Sequence, residues 1–139
     1  MTNNNDKNLA ICYLNSMGRS PDAVSIDQQR ESARKYAADH GLTIAREYTE
    51  QHIPGLKRKS ELKRMLDELD EIHPVALIIW GTNLLSRKPF DLAMIKRVLR
   101  GAACEIHTIL KPDPGNVEDV YLMEVLLNTL VRYPINCSI

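Results

Sequence analysis

Ser16 follows an apolar run, Leu9 to Leu14, and precedes Gly18, Arg19 and Ser20. A serine hydroxyl just past a strand can act as a nucleophile. Serine is equally an ordinary turn residue, and no Gly-x-Ser-x-Gly elbow surrounds this one. The only dense basic cluster is Gly55-Leu56-Lys57-Arg58-Lys59, backed by Lys63 and Arg64, a composition suited to holding phosphates. Asp67, Glu68, Asp70 and Glu71 offset that charge, so the same stretch also reads as the solvated start of a helix. Asn83-Leu84-Leu85-Ser86-Arg87-Lys88 follows a second apolar run and brings Arg87 and Lys88 to a strand end, where an anion can bind. No Gly-x-x-x-x-Gly-Lys loop occurs. Cys12, Cys104 and Cys137 have no ligand spacing, and His40, His52, His73 and His107 fall in separate segments. No metal or cofactor is expected from them.

The elements that must position these residues alternate in type. Leu9 to Leu14 reads as a strand. Ser25 caps a helix from Ile26 to Asp39, with Gln28 completing a capping box and Gly41 as its stop. Leu42, Ile44 and Tyr48 recur broadly at period two, a second strand. Ser60 is expected to cap the next helix, whose Leu62, Met65, Leu66 and Leu69 share one face. Val75 to Trp80 is continuously apolar, as in a strand buried on both faces. Pro89 opens a helix with Phe90, Leu92, Ile95, Val98 and Leu99 as its buried stripe, up to Gly101. Glu105 to Leu110 reads as a fourth strand. After a turn at Lys111-Pro-Asp-Pro-Gly115, Asn116 is expected to cap a last helix that Pro134 ends.

This β-α-β-α-β-α-β-α order predicts an α/β fold: three α/β/α layers around a mostly parallel sheet. Sites in such sheets form outside the carboxyl ends of the strands, which singles out the loops 15–24, 50–59 and 81–88. The 139 residues make one domain, read as a disordered polar segment 1–8, a folded unit 9–133 and a tail 134–139. The 18 basic and 18 acidic residues cancel, excluding a uniformly basic nucleic-acid coat but not a local basic patch. No apolar run approaches the ~18 residues of a membrane span, and the cysteine usage fits a reducing cytoplasm. The last helix is apolar on nearly every side, from Val117 through Val131, which predicts self-association through residues 117–133, with Leu127 and Val131 expected at the contact.

The order of these features resembles one family. A strand ends near a serine; Ser25-Ile-Asp-Gln-Gln-Arg-Glu opens a helix; Tyr48-Thr-Glu and a Gly55 loop follow. Then come a helix running Leu62-Lys-Arg-Met-Leu and an apolar strand leading to Leu85-Ser-Arg87. The pattern, over residues 9 to 131, is similar to the catalytic domain of the serine recombinases, the resolvase/invertase and large serine integrase group. The resemblance implies a serine that attacks a DNA phosphodiester, a 5′-phosphoserine link, guanidinium groups in place of a metal, and assembly with further copies on DNA. It implies Ser16 as nucleophile, Arg87 as the last arginine of an Asp-Arg-Leu-x-Arg motif, and Gln29, Glu50, Lys59 and Asn83 as supporting residues. Lys57, Arg58, Lys63, Arg64 and Lys88 are candidate DNA phosphate contacts.

The sequence departs from that pattern where the chemistry is densest. Cys12 and Leu14 stand where the family's Tyr-x-Arg-x-Ser has tyrosine and arginine. Asn83-Leu84 replaces an Asp-Arg pair, Pro54-Gly55 a Ser-Gly pair, Lys59 an arginine and Glu50 an aspartate. Leucine binds no phosphate, and lysine is a point charge rather than a bidentate fork. Losing one such donor typically costs ~10²–10³ in rate. The expectation is a recombinase-type domain with an impaired or inactive site, binding DNA weakly by itself and pairing as a homodimer or with a recombinase partner. Two alternatives stand beside it: a working recombinase domain whose missing charge comes from Arg19, Lys57, Arg58 or Arg87, and a flavodoxin-like module binding a phosphate-bearing ligand.

Overall fold

A computed structural model describes residues 8–16, 24–50 and 59–130. Four strands form one sheet in the order β2-β1-β3-β4: β1 is Leu9–Asn15, β2 Thr43–Glu50, β3 Ala76–Ile79 and β4 Glu105–Thr108. All three pairings are parallel. The central strands are apolar on both sides because helices cover both faces. Ala10, Cys12 and Leu14 pack with Ala76 and Ile78 beneath α1 (Ile26–Asp39), whose Ala33 and Ala37 let the helix approach closely. Ile11, Tyr13, Leu77 and Ile79 face the opposite layer of α2 (Ser60–Asp67), α3 (Leu69–Ile72), α4 (Pro89–Gly101) and α5 (Glu118–Leu130).

Helix α1 has the expected bounds, and Ser25 and Gln28 form the capping box. Its end is a Schellman turn: Leu42 N–H donates to Ala37 O and Gly41 N–H to Ala38 O, with Gly41 at φ +68°. Helix α4 ends in the same way. Cys104 N–H donates to Leu99 O and Ala103 N–H to Arg100 O, so that Ala103, at φ +57°, occupies the position Gly41 fills after α1.

Several expectations are corrected. Ser60 is the first residue of α2 and not its cap; Lys59 holds the cap position without a side-chain bond. The first intrahelical carbonyl of α5 is that of Val117, one residue beyond the expected cap Asn116. Phe90 and Val98 are about half exposed, and the buried stripe of α4 runs through Leu92, Ala93 and Leu99. Leu127 is buried with Val120 in the core, so it does not face a partner; the exposed residues of α5 include Tyr121, Leu122, Val125, Leu126 and Leu130. Helices α4 and α5 run antiparallel, Arg97 bonding Asn128 and Arg100 pairing with Glu124. Val131, Pro134 and Cys137 lie outside the described residues.

Candidate active site

The carboxyl ends of β1, β2 and β3 lie side by side, and Ser16, Glu50, Lys59 and Asn83 lie at or just beyond them, with Gln29 bonded to the end of β1. Ser16, half-buried, is the first residue after β1. The backbone just before it is clamped by Gln29, which is 2% exposed. Gln29 Nε2 donates to Asn15 O at 2.9 Å and to Val24 O at 2.9 Å, and Asn15 N–H donates to Gln29 Oε1 at 3.2 Å. One buried amide thus fixes both the exit of β1 and the approach to α1.

Glu50, at the end of β2, is buried too, and its carboxylate does the work sequence reading gave to Ser60. It accepts from the N–H groups of Glu61 and Leu62 at 3.3 and 3.1 Å, and from Tyr13 Oη at 3.0 Å. A carboxylate at the positive end of α2 is favourable both as a hydrogen-bond acceptor and as a charge. The Tyr13 phenol is held protonated well above its ordinary range by burial first and by the Glu50 charge second. Asn15 Nδ2 donates to Leu84 O at 3.2 Å and so ties β1 to the short 3-10 turn Thr82–Leu84 that follows β3.

Lys59 Nζ donates to Leu85 O at 2.8 Å. Although the residue keeps contact with solvent, partial desolvation lowers its pKa; the charges of Arg87 and Lys88 lower it further, while Glu50 and Asp91 oppose the shift. Lys59, Arg87 and Lys88 therefore share one electrostatic neighbourhood at the ends of β2 and β3. Asn83 is half-buried there, and its Oδ1 is buried with no hydrogen-bond partner among the described residues.

Other predicted contacts are already engaged or fall elsewhere. Lys63 pairs with Asp67 at 2.8 Å, and Arg64 pairs with Glu61 while lying 4.8 Å over the Tyr48 ring. Lys57 and Arg58, like Arg19, Pro54 and Gly55, lie outside the described residues. Leu14 and Leu84 are 1% and 2% exposed and packed in opposite core layers. Cys12 and Cys104 are core thiols, pushed up to about 12 by burial. No cluster of three metal-ligating side chains occurs among the described residues. None of their helices is long and apolar enough to cross a membrane.

Sequence reading missed three polar residues of this assembly. Asn15 was hidden as the neighbour of the serine, and Tyr13 as one more apolar strand residue. Asp113 lay in a segment read only as a turn. Its carboxylate accepts from Thr82 N–H at 2.9 Å, Thr82 Oγ1 at 2.6 Å and Gly115 N–H at 3.1 Å. The one available signal was local: an Asp two residues before a Gly favours a turn closed by its own side chain. A groove of about 620 Å³ between α4, β4 and α5 reaches Thr82 and Asp113 at one side, is otherwise lined by residues including Lys96, Arg100, Glu105 and Glu124, and holds none of Ser16, Lys59 and Arg87.

The arrangement offers a serine on a rigid strand end beside a cationic loop, an arrangement suited to an anionic substrate. Comparison with known proteins bears on the family and the fold. The family model for the resolvase N-terminal domain matches residues 15–130. Among solved structures, the N-terminal catalytic domain of TP901-1 integrase is similar at 18% identity and TM-score 0.65, covering 94% of this chain and 99% of that one. A resolvase family site-specific recombinase from Streptococcus pneumoniae is similar at 13% identity and TM-score 0.67, with 92% and 88% covered. The C-terminal catalytic domain of ISC1926 TnpA, an IS607-like serine recombinase, is similar at 14% identity and TM-score 0.61, with 90% and 82% covered. At these identities the likenesses concern the fold. None of the curated proteins matches the chain.

Proposed function

The chain belongs to the resolvase N-terminal domain family, the catalytic domain of site-specific serine recombinases, and on that premise we propose that it keeps the family's fold and serine but has lost strand transfer. The observation that carries this reading is the burial of Leu14 and Leu84, at 1% and 2% exposure. The resemblance puts guanidinium groups at those two positions, and here both side chains are part of the apolar core. A transferring phosphoryl group spreads negative charge over several oxygens and needs bidentate donors around it. Lys59 supplies a point charge, and its ammonium is partly committed to Leu85 O. With two donors absent and a third weakened, the phosphoserine intermediate is not formed at a useful rate.

In this reading the domain takes part in recombinase assembly on DNA, touching phosphates through Lys59, Arg87 and Lys88 and pairing with a second copy or another recombinase through α5. DNA affinity is weak, in the ~10⁻⁴–10⁻⁶ M range of non-specific phosphate contacts, and falls with salt. Covalent trapping tests the loss of chemistry. Incubated with nicked or suicide DNA, the protein forms no covalent adduct; an adduct that disappears in Ser16→Ala overturns the reading.

That outcome would favour the second reading, a working recombinase domain. Its support is the retained clamp of Gln29 behind Ser16 together with the cationic cluster of Lys59, Arg87 and Lys88. The flavodoxin-like alternative loses its ground with the family match.

A further inference from the structure

We infer that Asp113 is a positioning residue for the strand-end site: at the foot of α5, its carboxylate fixes the Thr82–Arg87 segment, whose carbonyls hold Asn15 and Lys59. The inference rests on the reading of that site as a phosphate-facing recombinase centre, and it adds a residue that neither the motif pattern nor the family resemblance singles out.

The geometry is a chain of short links. Asp113 Oδ1 accepts two backbone N–H groups, from Thr82 at 2.9 Å and Gly115 at 3.1 Å, and Oδ2 accepts the Thr82 hydroxyl at 2.6 Å. Thr82 is 1% exposed, so no bulk water replaces these bonds without the turn opening. Thr82 O then accepts the N–H of Leu85 at 2.9 Å, and Gly81 O that of Leu84 at 3.0 Å. The carbonyls of the same two residues receive Asn15 Nδ2, one residue before Ser16, and Lys59 Nζ. Asp113 is thus three links from the serine strand and three from the lysine ammonium.

Steric fit shows that this contact is tight. A Cβ placed on Gly115 would fall 2.5 Å from Asn83 N and closer still to Thr82 Oγ1. A Cβ on Gly81 would fall 2.6 Å from Asn83 Oδ1 and 2.9 Å from Pro114 Cγ. Two glycines, one on each segment, let the turn of residues 113–115 lie flush against the loop. Asp113 supplies the directional bonds across that surface. Charge-assisted bonds to a buried partner are the stronger kind, and losing the acceptor leaves the Thr82 and Gly115 N–H groups unpaired. Helix α5 begins three residues after Gly115, so the same turn joins the site to the helix proposed for assembly.

The test uses the full chain, isotopically labelled, with residue-resolved amide exchange and NMR titration of the Lys59 ammonium. Asp113→Ala raises exchange at Leu84 and Leu85 by roughly tenfold relative to amides of α1 and β3, the factor expected for losing a charge-assisted bond. It also shifts the Lys59 titration, because both the Leu85 O acceptor and the desolvation around the ammonium change when the loop loosens. Asp113→Asn keeps an acceptor for both N–H groups and lets its amide donate to Thr82 Oγ1, so it restores wild-type exchange. Thr82→Val, which removes one bond, gives an intermediate effect and serves if Asp113→Ala does not fold.

Unchanged exchange at Leu84 and Leu85, or an equal rise throughout the core, overturns the inference. Titration of the wild type with a short DNA duplex is the separate arm. Shifts at Lys59 and Arg87 support the reading on which the inference rests. Their absence together with a loosened loop in Asp113→Ala would defeat that reading and leave the positioning role standing.

Discussion

Gln29 bonds to both backbone polar atoms of Asn15, donating to the carbonyl at 2.9 Å and accepting from the N–H at 3.2 Å, although the two residues are fourteen apart in sequence. The amide bonds Asn15 as a neighbouring strand would, at a point where β1 still pairs with β2 but its pairing with β3 has ended at Tyr13 and Ile79. Ser16 is the next residue, so a glutamine on α1 determines where the serine leaves β1.

Gln29→Leu is therefore expected to do more than remove packing. It leaves the Asn15 N–H and the carbonyls of Asn15 and Val24 without the amide that pairs them. At about 1–3 kcal/mol for a buried unsatisfied group, with partial relief by water, the loss is about 2–4 kcal/mol. Gln29→Glu is expected to be no better at neutral pH, because a carboxylate then faces two carbonyl oxygens. Urea unfolding of the two variants beside wild type checks this. A change below about 0.5 kcal/mol in both would show that the clamp carries no weight.

The next expectation concerns pH. Cys12 and Cys104 have folded-state pKa values raised by burial from 9.0 to about 12, and burial together with the Glu68 carboxylate raises that of Tyr48 from 10.0 to about 12. A raised folded value contributes stability below the unfolded pKa that is lost as pH climbs through the folded one. Stability therefore falls steeply between about pH 9 and 12. At the acid end, Glu68 is lowered by bonds from Tyr48 and Arg46, so its contribution is present above the ordinary carboxylate range and is lost on acidification. Thermal melts across pH measure both limbs; Glu68→Gln should flatten the acid one and reduce the Tyr48 share of the alkaline one, leaving the share of Cys12 and Cys104. In a Cys137→Ser background, neither core thiol should react with a thiol reagent at pH 8 until urea is added.

Ala103 gives a prediction of the opposite sign. It holds the left-handed position of the Schellman turn after α4 at φ +57°, where α1 uses Gly41 at φ +68°. A Cβ costs roughly 1–2 kcal/mol in that region. Ala103→Gly relieves it, against the extra freedom glycine gives the unfolded chain, for a net gain of about 0.5–1 kcal/mol and a higher Tm. A lower Tm would show that the Ala103 methyl makes packing contacts that outweigh the backbone strain.

The comparison of α1 with α2 shows what was legible in the sequence. The capping box of α1 lies within four consecutive residues, so Ser25 and Gln28 announced it. The cap of α2 comes from Glu50 across the loop 51–58, and a serine at the right place was the misleading local substitute. The mostly parallel sheet followed from the alternation of strands and helices, with central strands buried on both faces continuously apolar; the strand order β2-β1-β3-β4 was not legible in that pattern. The stripe of α4 was misjudged because α5 covers only part of that helix, leaving Phe90 and Val98 exposed. The order along the chain brought Ser16, Glu50, Lys59 and Asn83 to strand ends, but the contacts that tie this region together were not legible: Asn15 to Leu84 and Asp113 to Thr82 span 69 and 31 residues.

The last helix separates two substitutions that look alike in sequence. Leu126 is 48% exposed and Leu127 8% exposed, the first open to solvent and the second packed with Val120 in the core. Tyr121, Leu122, Val125 and Leu130 are exposed with Leu126, and a run of apolar side chains this dense on one helix is the mark of a contact surface. With most homo-oligomers closing by two-fold symmetry, the wild type is expected to sediment as a dimer at high micromolar concentration. Leu126→Asp with Val125→Asp should give a folded monomer whose circular dichroism and Tm stay near those of the isolated wild-type fold. Leu127→Asp should instead unfold the domain, since burying a carboxylate beside Val120 costs several kcal/mol. The two variants distinguish association from stability: loss of the dimer in the first, with its fold intact, places the contact on the outer face of α5. A wild type that sediments as a clean 15.8 kDa monomer would remove self-association from the account.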